Sequence, residues 1–222
     1  MTAPGFKKRI FLVDDHPLVR EWLTQLINHQ PDLVVCGEAD SAPAALSGIA
    51  REQPDLSIVD ISLKHSSGIE LIKNLKELHA SLPVLVLSMH DESLYAERAL
   101  RAGARGYVNK GETAQKVVEA IRRILGGKLY ISEKTLELMT VRTLSGKGAG
   151  NQSPVQLLSD RELEVFERLG RGLGTRQIAG EFGVSVKTIQ AYCARIKDKL
   201  NLTSATGLLR EAIRWNEHKS AP

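Results

Sequence analysis

Apolar residues along this chain keep two rhythms. Four short runs, Ile10–Val13, Leu56–Val59, Val84–Leu87 and Gly106–Val108, are nearly continuous, the pattern of strands buried on both faces of a sheet. Each run stops on polar chemistry: Asp14-Asp15, Asp60, Ser88, and Asn109-Lys110. A fifth, shorter run spans Leu33 to Cys36. Between the runs the spacing turns helical. Leu18, Val19, Trp22, Leu23, Leu26 and Ile27 follow Pro17, a residue suited to a helix start, and stop at Gln30-Pro31. Ser41 to Arg51 is Ala-rich, with Ala44, Ala45, Leu46 and Ile49 expected to face inward. Ile69, Leu71, Ile72, Leu75 and Leu78 form the next stripe. Ser93 to Ala102 is a weaker helix closed by Gly103, and Thr113 to Leu125 a strong one closed by Gly126-Gly127. Strand and helix alternating in this way predict a (βα)5 unit, a doubly wound parallel sheet with helices on both faces.

The rhythm then changes. One more helix is expected within Leu129 to Leu144, followed by the Gly/Ser-rich stretch Ser145 to Pro154, which has no period and reads as a flexible linker. Four helices come next: Ser159 caps the first, through Leu169; Thr175 caps the second, to Gly183; Ser185 caps the third, to Leu200; and the fourth runs from Ala205 to Asn216. The fold class expected is therefore α/β, with a small all-α four-helix domain attached. The boundaries read are 1–126 for the first domain, 127–156 for the linker and 157–222 for the second.

Composition narrows the setting. The 222 residues are 42% hydrophobic, enough for a sizeable core, with a net charge of +4. Residues Leu157 to Pro222 hold 11 basic and 8 acidic side chains, so most of the surplus sits in the smaller domain. Cys36 and Cys193 are far apart, which offers neither a disulfide framework nor a metal spacing. The apolar run after the basic N-terminus is too short for a signal segment or a membrane span. A soluble cytoplasmic protein is expected.

Carboxylates, a hydroxyl and a lysine at neighbouring strand ends suit transfer of a phosphoryl group onto an aspartate, with Asp60 as nucleophile. Three acids together cannot all ionise cheaply, so a divalent cation is called for, and an all-oxygen site favours Mg²⁺. Lys110 and Ser88 would hold phosphoryl oxygens. His16, beside the acidic pair, reads as a helix-start residue rather than a metal ligand. Gly146-Lys147-Gly148 lacks the Walker spacing and is set aside.

In order and spacing, Asp14-Asp15, Asp60, Gly68, Ser88, Tyr107 and Lys110 resemble the receiver domain of two-component response regulators, over about residues 8 to 126. The resemblance implies that Asp60 accepts phosphate from a histidine kinase. It implies that Asp15, Asp60 and the backbone carbonyl of Ser62 bind Mg²⁺, with Asp14 helping through water, and that Ser88 and Tyr107 form a switch pair. Lys64 and Gly111 stand where the family often has proline. In the basic part, Leu158 to Phe166, Gly172 to Ala179, Ser185 to Ile189 and Lys199-Leu200 resemble the LuxR/NarL-type helix-turn-helix. The two resemblances together point to the NarL/FixJ class of response regulators.

The third helix of that domain is the expected DNA reader. Val186, Ile189, Cys193, Ile196 and Leu200 make its apolar stripe, leaving Lys187, Thr188, Gln190, Ala191, Arg195 and Lys197 as candidate DNA contacts. Gln190 and Tyr192 stand where the family commonly has Lys and His, which bears on the target sequence. In the fourth helix Ala205, Leu208, Leu209, Ala212 and Ile213 share a face, read first as core and second as a dimer contact. The function expected is a DNA-binding response regulator, not an enzyme, that dimerises on phosphorylation and acts on double-stranded promoter DNA, with RNA polymerase as a further candidate partner. Two rivals are weighed. An aspartate-nucleophile phosphohydrolase of the haloacid dehalogenase type would need a second acid where Asp60-Ile61-Ser62 has a serine. A DNA-binding protein whose receiver is an unphosphorylated scaffold would not be labelled by acetyl phosphate.

Overall fold

The structure is a computed structural model that describes residues 6–63, 66–144 and 154–220. The chain divides into two compact units, Met1–Val141 and Arg142–Pro222. The Gly/Ser-rich stretch read as a flexible linker lies, except for Pro154, outside the described residues.

In the first unit the apolar runs become β1 (Lys8–Val13), β2 (Leu33–Ala39), β3 (Leu56–Val59), β4 (Val84–Ser88) and β5 (Gly106–Asn109). All neighbouring pairs are parallel and the order is β2-β1-β3-β4-β5. The crossovers are α1 (Pro17–Asn28), α2 (Ala42–Glu52), α3 (Gly68–Leu78) and α4 (Glu92–Ala102), and α5 (Ala114–Leu125) follows β5. This is the doubly wound (βα)5 sheet that the alternation predicts.

Successive strand residues point to opposite faces, which is why these runs are almost wholly apolar; the buried exception within them, Ser57, donates its hydroxyl to Phe11 O (3.3 Å). On one face Ile10, Leu12, Ile58, Leu85 and Leu87 bury against Leu23, Ile27, Val117, Ile121 and Ile124. On the other, the Phe11 ring fills the space above two glycines of the β2–α2 layer; a Cβ on Gly48 would stand 2.5 Å from Phe11 Cζ. Ala44 and Leu78, expected inside, are exposed, because α2 buries Ala45, Gly48 and Ile49 and α3 ends its buried stripe at Leu75. Strand β2 runs three residues beyond Cys36. The polar Gly37-Glu38 step hides that extension in the sequence, and the register with β1 shifts between Ile10 and Phe11.

Residues past α5 remain tied to the sheet. Tyr130 pairs with the outer edge of β5, its amide donating to Arg105 O (3.0 Å) and its carbonyl accepting from Tyr107 N (2.8 Å). The approach is close enough that a Cβ on Gly106 would meet Tyr130 O at 2.7 Å, so glycine is needed there. Ser132 N donates to Glu92 Oε1 (2.8 Å), and α6 (Glu133–Leu144) follows. The early part of the segment read as linker is thus bonded to β5 and α4.

The second unit holds α7 (Asp160–Gly170), α8 (Thr175–Phe182), α9 (Val186–Lys199) and α10 (Ala205–Ser220), after a short 3₁₀ turn at Pro154–Leu157. Ser159 and Glu162 close a reciprocal cap on α7, and Ser185 Oγ accepts from Thr188 N (3.1 Å) on α9. The cap of α8 is Gly174, not Thr175. Gly174 has no side chain to accept from the first turn, but Gln177 Oε1 reaches back to accept from Gly174 N (2.9 Å), the reciprocal half of a capping box. Leu163, Val165, Phe166, Ile178, Phe182, Ile189, Ile196, Leu208 and Ala212 are buried. No helix among the described residues is long and apolar enough to cross a membrane.

Candidate functional site

The strand order reverses between β1 and β3, the point where open α/β sheets gather ligands at the carboxyl ends of their strands. Val13 and Val59 are paired across it, and Asp60 N donates to Val13 O (2.8 Å), so the residues that follow, Asp14 and Asp60, emerge side by side. Lys110, from the end of β5, places its ammonium 2.6 Å from Asp60 Oδ2 and 2.6 Å from Asp14 Oδ2. Asp60 and Asp14 are buried and the Lys110 side chain nearly so, with exposures of 3%, 4% and 9%. The helix after Asp60 packs tightly against it: a Cβ on Gly68 would sit 2.0 Å from Asp60 O. That close approach is the physical reason for glycine eight residues beyond the aspartate.

The electrostatics follow from this burial. Desolvation pushes the Asp60 carboxyl above its ordinary range; Lys110 and the Ser88 hydroxyl pull against the rise, and the neighbouring Asp14 charge adds to it. Burial works to lower Lys110, but the charges of Asp60 and Asp14 outweigh it and its pKa rises. Ser88 is fully buried and serves both Asp60 and Tyr107. Tyr107 points inward, donates to His90 O (2.8 Å), and its phenol is raised chiefly by burial.

Asp14, Asp15, His16 and Asp60 each bring a ligand atom within 4.8 Å of the others. Asp14 is already engaged: Oδ1 accepts from His16 N (2.9 Å), and Arg20 Nη1 donates to its carbonyl (2.7 Å). Asp15 Oδ1 is buried and accepts no hydrogen bond, although His16 Nδ1 stands 2.7 Å away. His16 is the N-cap residue of α1, as its position suggested, but its ring also turns toward both carboxylates. A buried carboxylate oxygen without a donor, in a set of oxygens around the strand ends, fits a hard divalent cation. Ser62 sits in a two-residue ladder with Ser67, its amide donating to Asp60 Oδ1 (3.3 Å). Lys64 lies outside the described residues. Sequence reasoning passed over His90, which joins the site through contacts with Ser62 and Tyr107, distant in the chain, and Arg20, whose bond is to a main-chain carbonyl that no side-chain pattern marks.

In the second unit α9 buries Ile189 and Ile196, with Val186, Cys193 and Leu200 half-buried beside them. Lys187, Gln190, Ala191 and Arg195 are exposed as expected. Thr188 and Lys197 are half-buried, and Thr188 Oγ1 is bonded to Ser185 Oγ (2.9 Å) at the cap. The Arg195 guanidinium lies over the Tyr192 ring, 5.9 Å from its centroid. On α10 the shared face splits: Leu208 and Ala212 are buried, whereas Leu209 and Ile213 are exposed.

Comparison with known proteins covers both units. Residues 10–122 match the response regulator receiver domain, and residues 156–212 match the luxR family of bacterial regulatory proteins. The chain is 36% identical to the transcriptional activator protein ExaE of Pseudomonas putida, over 92% of this chain and 95% of ExaE. It is 31% identical to the oxygen regulatory protein NreC of Staphylococcus carnosus, over 93% and 97% of the two chains. Among solved structures it is similar to a LuxR-family two-component response regulator from Aurantimonas sp. SI85-9A1, with 33% identity and a TM-score of 0.58 over 62% of this chain and 99% of that one. RcsB from Salmonella enterica serovar Typhimurium, solved on the promoter rprA with the phosphomimetic BeF3-, shares the fold at 24% identity and a TM-score of 0.63, over 92% and 97%.

Proposed function

The chain belongs to the two-component response regulators, a receiver joined to a LuxR-family DNA-binding domain, and on that premise we propose that Asp60 is its phosphoacceptor. The observation that carries this reading is the buried Asp60 carboxylate held by Lys110 and flanked by Asp14 and Ser88. An Asp60 carboxylate oxygen attacks the phosphorus of a kinase phosphohistidine; the P–N bond breaks, and the leaving imidazole keeps the electron pair and takes a proton from water. Lys110 and the Ser88 hydroxyl face the oxygens on which charge accumulates. Lys110 must exchange a carboxylate for a phosphoryl oxygen as it does so.

Asp15, Asp60 and the Ser62 backbone carbonyl would hold Mg²⁺, with Asp14, already occupied by Lys110 and His16, contributing through water. The ion would neutralise the acidic cluster and the incoming phosphoryl charge. Because burial raises Asp60, such a cation also favours the ionised nucleophile.

The output we propose is binding of promoter DNA by a phosphorylation-linked homodimer. Lys187, Thr188, Gln190, Ala191, Arg195 and Lys197 of α9 would meet the duplex, with RNA polymerase as a further partner. Exposure of Lys187, Gln190 and Arg195 on one helix supports this, as does the promoter-bound state of RcsB, a protein of the same fold. The receiver would span 1–126, the connection 127–156 and the DNA-binding domain 157–222, working in the cytoplasm. The protein then accepts one phosphoryl group rather than turning over a substrate. Acetyl phosphate with Mg²⁺ should label the full chain once, and Asp60→Asn should take up none. Undiminished acid-labile phosphate in that variant rejects the assignment.

A further inference from the structure

One buried polar residue grips both the loop after Asp60 and the residue read as its switch partner, yet the phosphoacceptor reading gives it no task. His90 lies in the loop between β4 and α4, where the chain turns so that Met89 is 72% exposed and His90 only 6%. Its carbonyl accepts from Tyr107 Oη (2.8 Å) and from Asn109 Nδ2 (3.2 Å), and its amide donates to Ser88 Oγ (3.4 Å). Its ring packs on Tyr95 with centroids 4.4 Å apart, and Nε2 shares a 2.8 Å hydrogen bond with Ser62 Oγ. The Ser62 amide in turn donates to Asp60 Oδ1. Packing against Tyr95 alone would be served by an apolar side chain; an imidazole brings a desolvation cost that its bond to Ser62 offsets.

We propose that His90 is a positioning residue of the phosphoacceptor site. Through Nε2 it fixes Ser62, and with it the amide that orients the Asp60 carboxylate, against the loop that also carries the Tyr107 acceptor. The two loops then move as one piece. The proposal rests on the reading of Asp60 as phosphoacceptor and adds a residue that touches neither phosphate nor metal. It makes a stereochemical demand. Glutamine can place its amide nitrogen where Nε2 stands, whereas the shorter asparagine cannot reach Ser62.

The test follows Mg²⁺-dependent labelling of the full chain by acetyl phosphate, comparing wild type, Ser62→Ala, His90→Ala, the double variant, His90→Gln and His90→Asn. Each alanine variant should slow the maximal labelling rate roughly five-fold, the size of one net hydrogen bond, with the half-saturating acetyl phosphate concentration unchanged. The double variant should be no slower than the slower single one, because both remove the same bond. Glutamine should restore the rate and asparagine should not, although both replace an imidazole by an amide. Multiplying defects in the double variant, equal rates for Gln and Asn, or no defect in Ser62→Ala would each overturn the proposal. Ser62→Ala, on a half-exposed side chain, keeps the test decisive if a His90 variant fails to fold. A wild-type chain that takes up no phosphate would instead reject the phosphoacceptor reading, which sets the two failures apart.

Discussion

The two halves of the molecule use the same cation under opposite conditions. Lys110 is buried between two carboxylates at the sheet edge, whereas Lys187 stands exposed near the start of α9. In the first setting a charge is locked to specific partners, and any new charge must displace one of them. In the second it is hydrated, and its interaction with a polyanion adds to that of its neighbours and fades with salt. The first arrangement suits a signal that must be all-or-none, and the second a surface that meets a polyanion along its length.

Removing each lysine should separate the two regimes most sharply. Lys110→Met leaves Asp14 and Asp60 buried without a counter-charge and should cost roughly 3–5 kcal/mol in urea unfolding of the receiver at neutral pH. Lys187→Ala should stay within about 0.5 kcal/mol of wild type. Adding Asp60→Asn to Lys110→Met should recover much of the loss, since one of the two stranded charges is gone. Equal stabilities for the two single lysine variants would dissolve the distinction.

Smaller effects bear on how each half communicates. Moving a two-state equilibrium from 1:99 to 99:1 takes about 5.5 kcal/mol of differential interaction, of which the buried Ser88 hydroxyl can supply a part. Ser88→Ala should still take up phosphate but show a weaker phosphorylation-dependent self-association in sedimentation; an unchanged association constant would remove Ser88 from the coupling. On the DNA side, Gln190→Ala should lose roughly 1–3 kcal/mol on the preferred sequence only, as an adenine reader would. Lys187→Ala should weaken all sequences alike and lower the log–log salt slope by about 1. Binding curves on the selected site and its single-base variants distinguish these outcomes.

The smallest effect lies inside the DNA-binding unit. Burial alone would raise Glu162, but Lys199 (2.7 Å) and the Ser159 amide outweigh it and hold the carboxyl below its usual value. A depressed folded-state pKa stabilises the protein above the unfolded value and is lost as pH falls through the folded one. Glu162→Gln should therefore lower the stability of this unit near neutrality, and the gap from wild type should close below about pH 4. A gap that persists in acid would point to lost packing instead of lost charge.

The sheet and the reactive strand ends were legible because an apolar run halted by Asp, Ser or Lys is a local pattern. Asp14, Asp60, Ser88 and Lys110 converge once the strand order is known, and that order is supplied by the structure, not by the alternation. Other features depend on contacts between distant segments. The ring of His90 reaching Ser62 and the backbone of Tyr130 joining β5 leave no periodic trace. Leu78 and Ala44 fit a helical stripe in the sequence yet are exposed: Leu78 closes α3 beyond its last buried residue, Leu75, and α2 buries Ala45 in place of Ala44. On α10, likewise, Leu209 and Ile213 share a pattern with Leu208 and Ala212 without sharing their burial.

The pairing of Tyr130 with β5 also bears on aggregation. A terminal strand offers a row of unused amides and carbonyls to any strand that passes, and proteins blunt such edges to avoid piling onto one another. Here the main chain just past α5 occupies that row, helped by a glycine that lets it come close. A receiver cut after Leu125 would bare the Tyr107 amide and the Arg105 carbonyl together, and should clump in a concentration-dependent way whether or not Asp60 is modified. One carried through Ser132 should stay dispersed.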